Sequence, residues 1–158
     1  MKSLSRQKNN IGGIARLYAV PIELLTAIVP SSTPGAYAIT LSSTEEVYDI
    51  SAISESIQAT EEPKPSSAGY YFEHQIRATI AKDTPELSLA LLDLYGRRLV
   101  IIYRDQNDRY KLVGTMTEAM RLGYRKDTGA KISDLQQAPL VFEGRTSSPA
   151  RFIDDPFS

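Results

Sequence analysis

The chain has 158 residues, of which 42% are hydrophobic and 23% are charged. This size and composition fit one globular domain and exclude extended disorder, a collagen-like repeat and a disulfide scaffold. The sequence has no cysteine and a single histidine, which excludes thiolate nucleophiles, zinc–thiolate sites and iron–sulfur clusters. We therefore expect a non-enzymatic protein that uses no cofactor and no metal.

Charge is distributed unevenly along the chain, although the formal net charge is only −1. Residues 1–16 carry four basic residues and no acidic one, whereas residues 17–63 carry seven acidic residues and no basic one. Separate segments of opposite charge are common as solvated faces, and they can also orient identical subunits against one another. Because a nucleic-acid-binding domain is expected to be basic overall, we do not expect sequence-specific binding to nucleic acid.

The beginning of the sequence does not match a secretory signal. Gly12, Gly13 and Arg16 interrupt the apolar residues that follow the basic start. The longest apolar run, residues 99–103, is far shorter than the roughly 20 residues that cross a bilayer. We expect a soluble protein that has no membrane partner and is not secreted through a signal peptide.

Strand patterns dominate the first half of the chain. Apolar residues cluster over residues 14–22 and 36–41, and Pro30 and Pro34 predict a loop between these runs. Residues 46–58 change phase by one residue near Ser51, which predicts a bent strand with a bulge. Residues 70–80 alternate most regularly, and they place His74 on the apolar face of the predicted strand.

Two segments lack apolar periodicity. Residues 60–69 combine two prolines with small and charged residues, which cannot extend a central β-ladder, so we predict a flexible hairpin tip. Residues 1–11 are polar and basic, and we predict a mobile N-terminal arm. Neither segment can offset the roughly 1–2 kcal/mol per residue that fixing a backbone costs. We expect both to become ordered only against a neighbouring subunit.

One helix is predicted over residues 84–95. Thr84 can cap it, Pro85 suits the first helical position and Gly96 can end it. The leucines of this segment form a wide apolar stripe, so we expect the helix to be largely buried.

Strand patterns return in the last third of the chain, over residues 98–104, 110–114, 120–126 and 138–145. Most connections between predicted strands are too short for a parallel crossover. The sequence therefore predicts a single domain over residues 1–158, built as a mainly antiparallel β-barrel or sandwich of about eight strands with one short helix.

Several patterns suggest chemistry, and each has a simpler interpretation. The sequence Asp-Thr-Gly-Ala at residues 127–130 matches the signature of retroviral aspartic proteases, but the basic residues before it do not fit that fold and a tight turn explains it. Residues 105–109 begin like a calcium loop, yet Arg109 occupies a ligand position. For His74 a buried neutral imidazole is the expected state. The nine tyrosines lie mainly on predicted strands as half-buried sheet residues, with ligand binding as the alternative.

The order of elements over residues 69–145 is also informative. A strand is followed by a short helix, a hairpin ending in Val113-Gly114, another strand, an Asp-Thr-Gly turn at residues 127–129 and a strand ending at Gly144. This layout resembles small structural proteins of tailed phages and prophages, in particular tail-tube-like β-barrel subunits. The resemblance implies self-assembly into rings, a long loop that reaches a neighbour, and no catalysis. It also implies residence in the cytoplasm of a host cell during assembly and then in a virion.

We therefore predict a non-enzymatic structural subunit, related to phage or prophage tails, that forms homo-oligomeric rings or polymers and binds other virion proteins. Its subunit contacts are expected in the charged segments, where the basic arm would meet the acidic hairpin tip of a neighbour. The candidate contact residues are Arg6, Lys8, Arg16, Glu61, Glu62 and Lys64. The alternative is a small-molecule or carbohydrate-binding β-barrel that uses tyrosine side chains.

Overall fold

The computed structural model describes residues 12–53, 55–81, 84–126, 128, 130 and 137–157. Within these residues it contains eleven β-strands, one 3₁₀ helix and one α-helix. The elements are β1 Ile14–Pro21, the 3₁₀ helix Ile22–Leu24, β2 Leu25–Pro30, β3 Ala36–Leu41, β4 Tyr48–Asp49, β5 Gln58–Ser66, β6 Gly69–Ala81, α1 Pro85–Leu94, β7 Leu99–Asp105, β8 Tyr110–Val113, β9 Arg121–Tyr124, β10 Gln137–Thr146 and β11 Arg151–Ile153.

The strands form two open sheets that pack as a sandwich. One sheet has seven strands in the order β2-β3-β11-β8-β7-β1-β4, and the other has four in the order β5-β6-β10-β9. Paired strands are antiparallel except β3 and β11, which run parallel. Of the two predicted architectures the sandwich is confirmed and the barrel is wrong, because neither sheet closes on itself. There are more strands than predicted because β2 and most of β5 lie where we expected loops, and β11 lies in the tail after residue 145, for which no strand was predicted.

The main hydrophobic core lies between the two sheets. Leu17 and Ile101 of the larger sheet pack with Ile76 and Phe142 of the smaller one, and Leu91 of α1 joins them. The opposite face of the larger sheet carries a second buried cluster, which consists of Val20, Leu24, Leu25, Val100, Ile102, Leu112 and Ile153. Strand β7 is therefore buried on both faces, which explains why its sequence is continuously apolar instead of alternating.

Helix α1 begins and ends as predicted, but it is less buried than expected. The Thr84 hydroxyl accepts a hydrogen bond from the Leu87 amide at 3.2 Å, and Gly96 has a φ of +83° just beyond the helix. Only Leu91 and Leu94 are buried in the helix. The prediction of a largely buried helix is wrong because a single face of α1 contacts the core, whereas Leu89 and Leu92 point away from it.

The hairpin of β5 and β6 is longer than predicted. Ladder pairs continue from Gln58 with Arg77 to Ser66 with Gly69, so only residues 67 and 68 form the turn. Residues 60–66, predicted as part of a flexible tip, thus belong to a paired strand. Pro63 and Pro65 are tolerated because β5 is an edge strand, which has a ladder partner on one side only. The predicted arm, residues 1–11, lies outside the described residues.

Residues 46–58 do not form the predicted bent strand. Strand β4 ends at Asp49, and the following segment crosses from the larger sheet to the smaller one. Two backbone hydrogen bonds hold this crossing: the Ile50 amide donates to Leu17 O at 2.9 Å, and the Ile53 amide donates to Thr79 O at 2.8 Å. The change of phase in the sequence therefore marks a change of sheet and not a bulge.

Candidate subunit interface

The sheet edges are the parts of a β-sandwich that most readily bind another chain, because an edge strand leaves a row of N–H and C=O groups without a ladder partner. Here the edge strands are β2 and β4 in the larger sheet and β5 and β9 in the smaller one. The sequences of these four strands protect them against pairing with another chain to very different degrees.

Edge strand β5 is well protected against pairing with another strand. Pro63 and Pro65 have no amide hydrogen, and Glu61, Glu62 and Lys64 place charge along the same edge. Prolines and charged side chains are the usual means by which proteins prevent edge-to-edge association. A further strand would therefore bind poorly alongside β5.

Edge strands β4 and β9 offer little ladder for a partner. Strand β4 has two residues, and β9 has four. The exposed Arg121 of β9 is committed within the chain, since its guanidinium donates to Gly96 O at 3.0 Å. Short and charged edges of this kind are weak templates for a further strand.

Edge strand β2 is unprotected by comparison. Its six residues include no charged side chain and only one proline, Pro30, at its end. It pairs with β3 through contacts such as Ile28 opposite Ile39, with a register shift between Leu25 and Ala27. The Val29 side chain is 50% exposed. Within the described chain no strand lies along the other side of β2.

Strand β2 lies where Pro30 and Pro34 predict a loop. A signal for the strand was nevertheless present, since Thr26, Ile28 and Val29 are β-branched residues that favour extended backbone. Proline at the last residue of an edge strand does not disturb the ladder. Pro30 was therefore compatible with a strand that ends there.

Helix α1 presents a second exposed apolar area. Leu89 is 70% exposed, Leu92 is 67% exposed, and Tyr95 at the end of the helix is also exposed. The spacing of three residues places these side chains on one side of the helix. The Tyr95 ring contacts the Tyr124 ring edge-on at a centroid distance of 5.9 Å. Contiguous exposed apolar side chains are typical of interaction surfaces.

Three of the contact residues predicted from charge, Arg16, Glu61 and Lys64, are engaged within the chain. Arg6 and Lys8 lie outside the described residues. Arg16 of β1 pairs with Asp49 of β4, with Nη2 2.6 Å from Oδ2, and the hydrogen bond to this carboxylate raises the arginine pKa. On the smaller sheet Lys64 pairs with Glu73 at 3.3 Å.

Two predicted acids of the hairpin lie on opposite faces of β5. Glu62 is opposite Glu73 in the ladder, on the outer face of the sheet. Glu61 is opposite His74 on the inner face, where its Oε1 accepts a hydrogen bond from the Ala150 amide at 2.6 Å. The structure thus places Arg16 on one sheet and the charged residues of β5 on the other, and none of them belongs to the unprotected edge β2.

His74 is buried and hydrogen-bonded, as its position on the apolar face predicted. Its side chain is 2% exposed, and Nε2 lies 2.7 Å from the Thr146 hydroxyl oxygen. The Thr146 hydroxyl also donates to Ser148 O. Nδ1 lies 3.7 Å from Glu61 Oε1. Burial lowers the His74 pKa and outweighs the nearby Glu61 carboxylate. An imidazole buried to this extent offers little surface to a substrate.

An open cleft of about 680 Å³ lies at one end of the larger sheet. Its lining includes Arg104, Tyr110 and Phe152, together with Asp108, whose Oδ1 is 3.8 Å from Arg104 Nε. Cleft volumes of about 300–1,000 Å³ are common for small-molecule sites. The cleft carries one of the nine tyrosines that the ligand-binding alternative invoked.

Comparison of the chain with protein-family models, with curated protein sequences and with solved structures finds no match. Within the described ranges, no group of three or more histidine and acidic side chains is placed to hold a metal ion. The helices of the same ranges include none with the length and apolar character that crossing a membrane requires. Asp127 and Gly129, which belong to the protease-like pattern, lie outside the described residues.

Proposed function

We propose that this protein is a non-enzymatic structural subunit that assembles with other chains through its sheet edges. The observation that carries the proposal is the contrast between β2 and β5. Strand β5 has prolines and charges that oppose edge pairing, whereas β2 has no charged residue and leaves Val29 half exposed. An uncharged edge strand is an aggregation hazard unless a partner covers it. The exposed apolar side of α1 supports the same function.

The resemblance of residues 69–145 to structural proteins of tailed phages supports a role in a phage or prophage tail. On this proposal the copies form rings or polymers, and other virion proteins are further partners. Arg6 and Lys8 of the basic arm remain candidate contacts to an acid such as Glu62 of a neighbouring copy.

Sedimentation velocity over a wide concentration range, combined with electron microscopy of concentrated samples, tests the proposal. We expect the wild-type protein to form species larger than a monomer. The variant Val29→Lys should shift the distribution towards monomer, because a charge on the edge opposes strand pairing. Val29 is exposed, so the variant should fold normally, and circular dichroism checks this.

Met116→Lys is the matched control. Met116 is 45% exposed in the connection between β8 and β9, so the same charge is added at a similarly exposed apolar side chain away from any sheet edge. It should assemble like the wild type. A wild-type protein that stays monomeric at every concentration and salt condition would overturn the proposal.

The open cleft favours a second candidate function, the binding of a small molecule or carbohydrate. Tyr110 and Phe152 provide ring surfaces there, and Arg104 and Asp154 provide polar groups. A screen of sugars and small anions by thermal shift tests this function. A hit whose stabilisation disappears in Tyr110→Ala, in a protein that stays monomeric, would support it over the structural proposal.

A further inference from the structure

We propose that the partner of edge strand β2 is β2 of a second copy, paired antiparallel about a two-fold axis perpendicular to the sheet. The larger sheet would then continue through both copies. This inference rests on the proposed assembly function, and it adds the identity of the partner strand and the symmetry of the contact.

The charge pattern favours self-pairing of β2. In a two-fold contact each side chain meets the same segment of the other copy, so a charged residue at the centre of the contact would face its own like charge. Residues 25–30 carry no charge and avoid this repulsion in every register. Pairing of β5 with its own copy would instead bring together two segments that each contain Glu61, Glu62 and Lys64, and the prolines of β5 would oppose it.

The side chains and backbone of β2 also fit a copy of themselves. Thr26, Ile28 and Val29 are β-branched, and such residues pack well across a β-ladder. Pro30 removes an amide hydrogen only at the end of the strand. Residues 27–29, which follow the register shift, therefore present a continuous row of backbone groups to a partner.

A head-to-tail arrangement is less compatible with the other edges. It would place β2 of one copy against β4, β5 or β9 of the next. Strand β4 has two residues, β5 is blocked by Pro63 and Pro65, and β9 is short and carries Arg121. A two-fold contact uses none of these edges, because it satisfies β2 in both copies at once.

The two-fold axis makes a geometric prediction. Residues that face each other in a ladder point to the same side of the sheet, and side chains alternate along a strand. An antiparallel pair of identical strands must therefore place one residue directly opposite its own copy. The Cβ atoms of directly opposite residues are about 4.5–5.5 Å apart, close to the separation that a disulfide spans.

The chain contains no cysteine, so single-cysteine variants report this contact without background. We would compare four variants along the strand, Thr26→Cys, Ala27→Cys, Ile28→Cys and Val29→Cys, with Met116→Cys as the exposed control. Each full-length variant is oxidised mildly at a concentration where the wild type associates, and covalent dimer is measured on a non-reducing gel. Thermal denaturation before oxidation confirms that each variant is folded.

We expect covalent dimer to peak at one β2 position, several-fold above the Met116→Cys control. Equal cross-linking at all four positions and at the control would indicate random collision and would overturn the two-fold contact. The two-fold contact would also be overturned if none of the four β2 cysteine variants cross-linked although the wild type associates and Val29→Lys does not. Strand β2 would then bind a different strand. That last result would still agree with the proposed assembly function, whereas a strictly monomeric wild type would overturn both the assembly function and the β2–β2 contact.

Discussion

Replacing Gly144 by alanine should destabilise the protein because its site in β10 has no room for a methyl group. A Cβ atom there would lie 2.6 Å from Ala119 O, 2.7 Å from Met120 Cε and 2.8 Å from Met120 Sδ, whereas ordinary contact begins at 3.4 Å. The methionine is fully buried, and the oxygen belongs to the backbone. Neither can move away without shifting its neighbours.

The magnitude follows from the cost of overpacking. An added methyl group in a packed core lowers the free energy of unfolding by about 1–3 kcal/mol. Alanine also reduces the conformational entropy of the unfolded chain, which raises the free energy of unfolding by about 0.4–1 kcal/mol. We expect Gly144→Ala to lower the free energy of unfolding by about 1–2 kcal/mol. Because 1 kcal/mol shifts Tm by about 2–4 °C in a protein of this size, the midpoint should fall by about 2–8 °C.

Urea denaturation followed by circular dichroism measures this change, and Gly123→Ala is its matched control. Gly123 lies in β9 of the same sheet, but the nearest atom to its added Cβ would be Val141 O at 3.9 Å. Its stability should be unchanged or higher by up to about 1 kcal/mol. If the two variants have equal stability, the tight packing around Gly144 is not a constraint on this fold.

Three further predictions concern single side chains. Burial lowers the His74 pKa, so the unfolded chain binds a proton at this imidazole at higher pH than the folded chain does. The free energy of unfolding should therefore fall as the pH drops below about 6.5. An NMR titration of this single imidazole in the folded protein with a midpoint above that pH would contradict the reasoning. Thr84→Ala should lower the free energy of unfolding, measured by urea denaturation, by about 0.5–2 kcal/mol because it removes the cap of α1. Thr84→Ser keeps the hydroxyl and should lower it much less. Equal losses in the two variants would mean that the cap hydrogen bond contributes nothing to stability. Burial raises the Tyr103 pKa to about 12. The difference in ultraviolet absorbance between the wild type and Tyr103→Phe that reports ionised phenol should therefore appear near that pH while the protein is folded. A difference already complete near pH 10 would show that the Tyr103 phenol is accessible to water.

Local signals in the sequence were sufficient for the elements that depend on local physics. The cap at Thr84, the proline after it and Gly96 predicted the limits of α1 to within one residue. Strict alternation likewise identified β6 and placed His74 on its buried face. These features require no knowledge of which elements lie next to one another.

The errors arise where tertiary neighbours decide the outcome. Leu89 and Leu92 look like core residues by type, but their burial depends on whether an element covers that side of α1, and within the described chain none does. Strand β5 contains Pro63 and Pro65, which are compatible with a strand only because it lies at an edge. Sheet order cannot be read from local periodicity, so the unprotected edge β2 became visible only in the structure.

The position of β11 has a consequence for folding during synthesis. The hairpin of β2 and β3 joins the larger sheet through β11, whose Ile153 pairs with Tyr37 on one side and with Tyr110 on the other. At about 5–20 residues per second, the ribosome needs roughly 6–23 s to proceed from Tyr37 to Ile153. Throughout that interval β3 has an open edge in addition to the open edge of β2. On a polysome, where nascent copies follow one another closely, the hairpin is therefore most exposed to mispairing before β11 has been made, and the pairing of β11 with β3 removes half of that hazard.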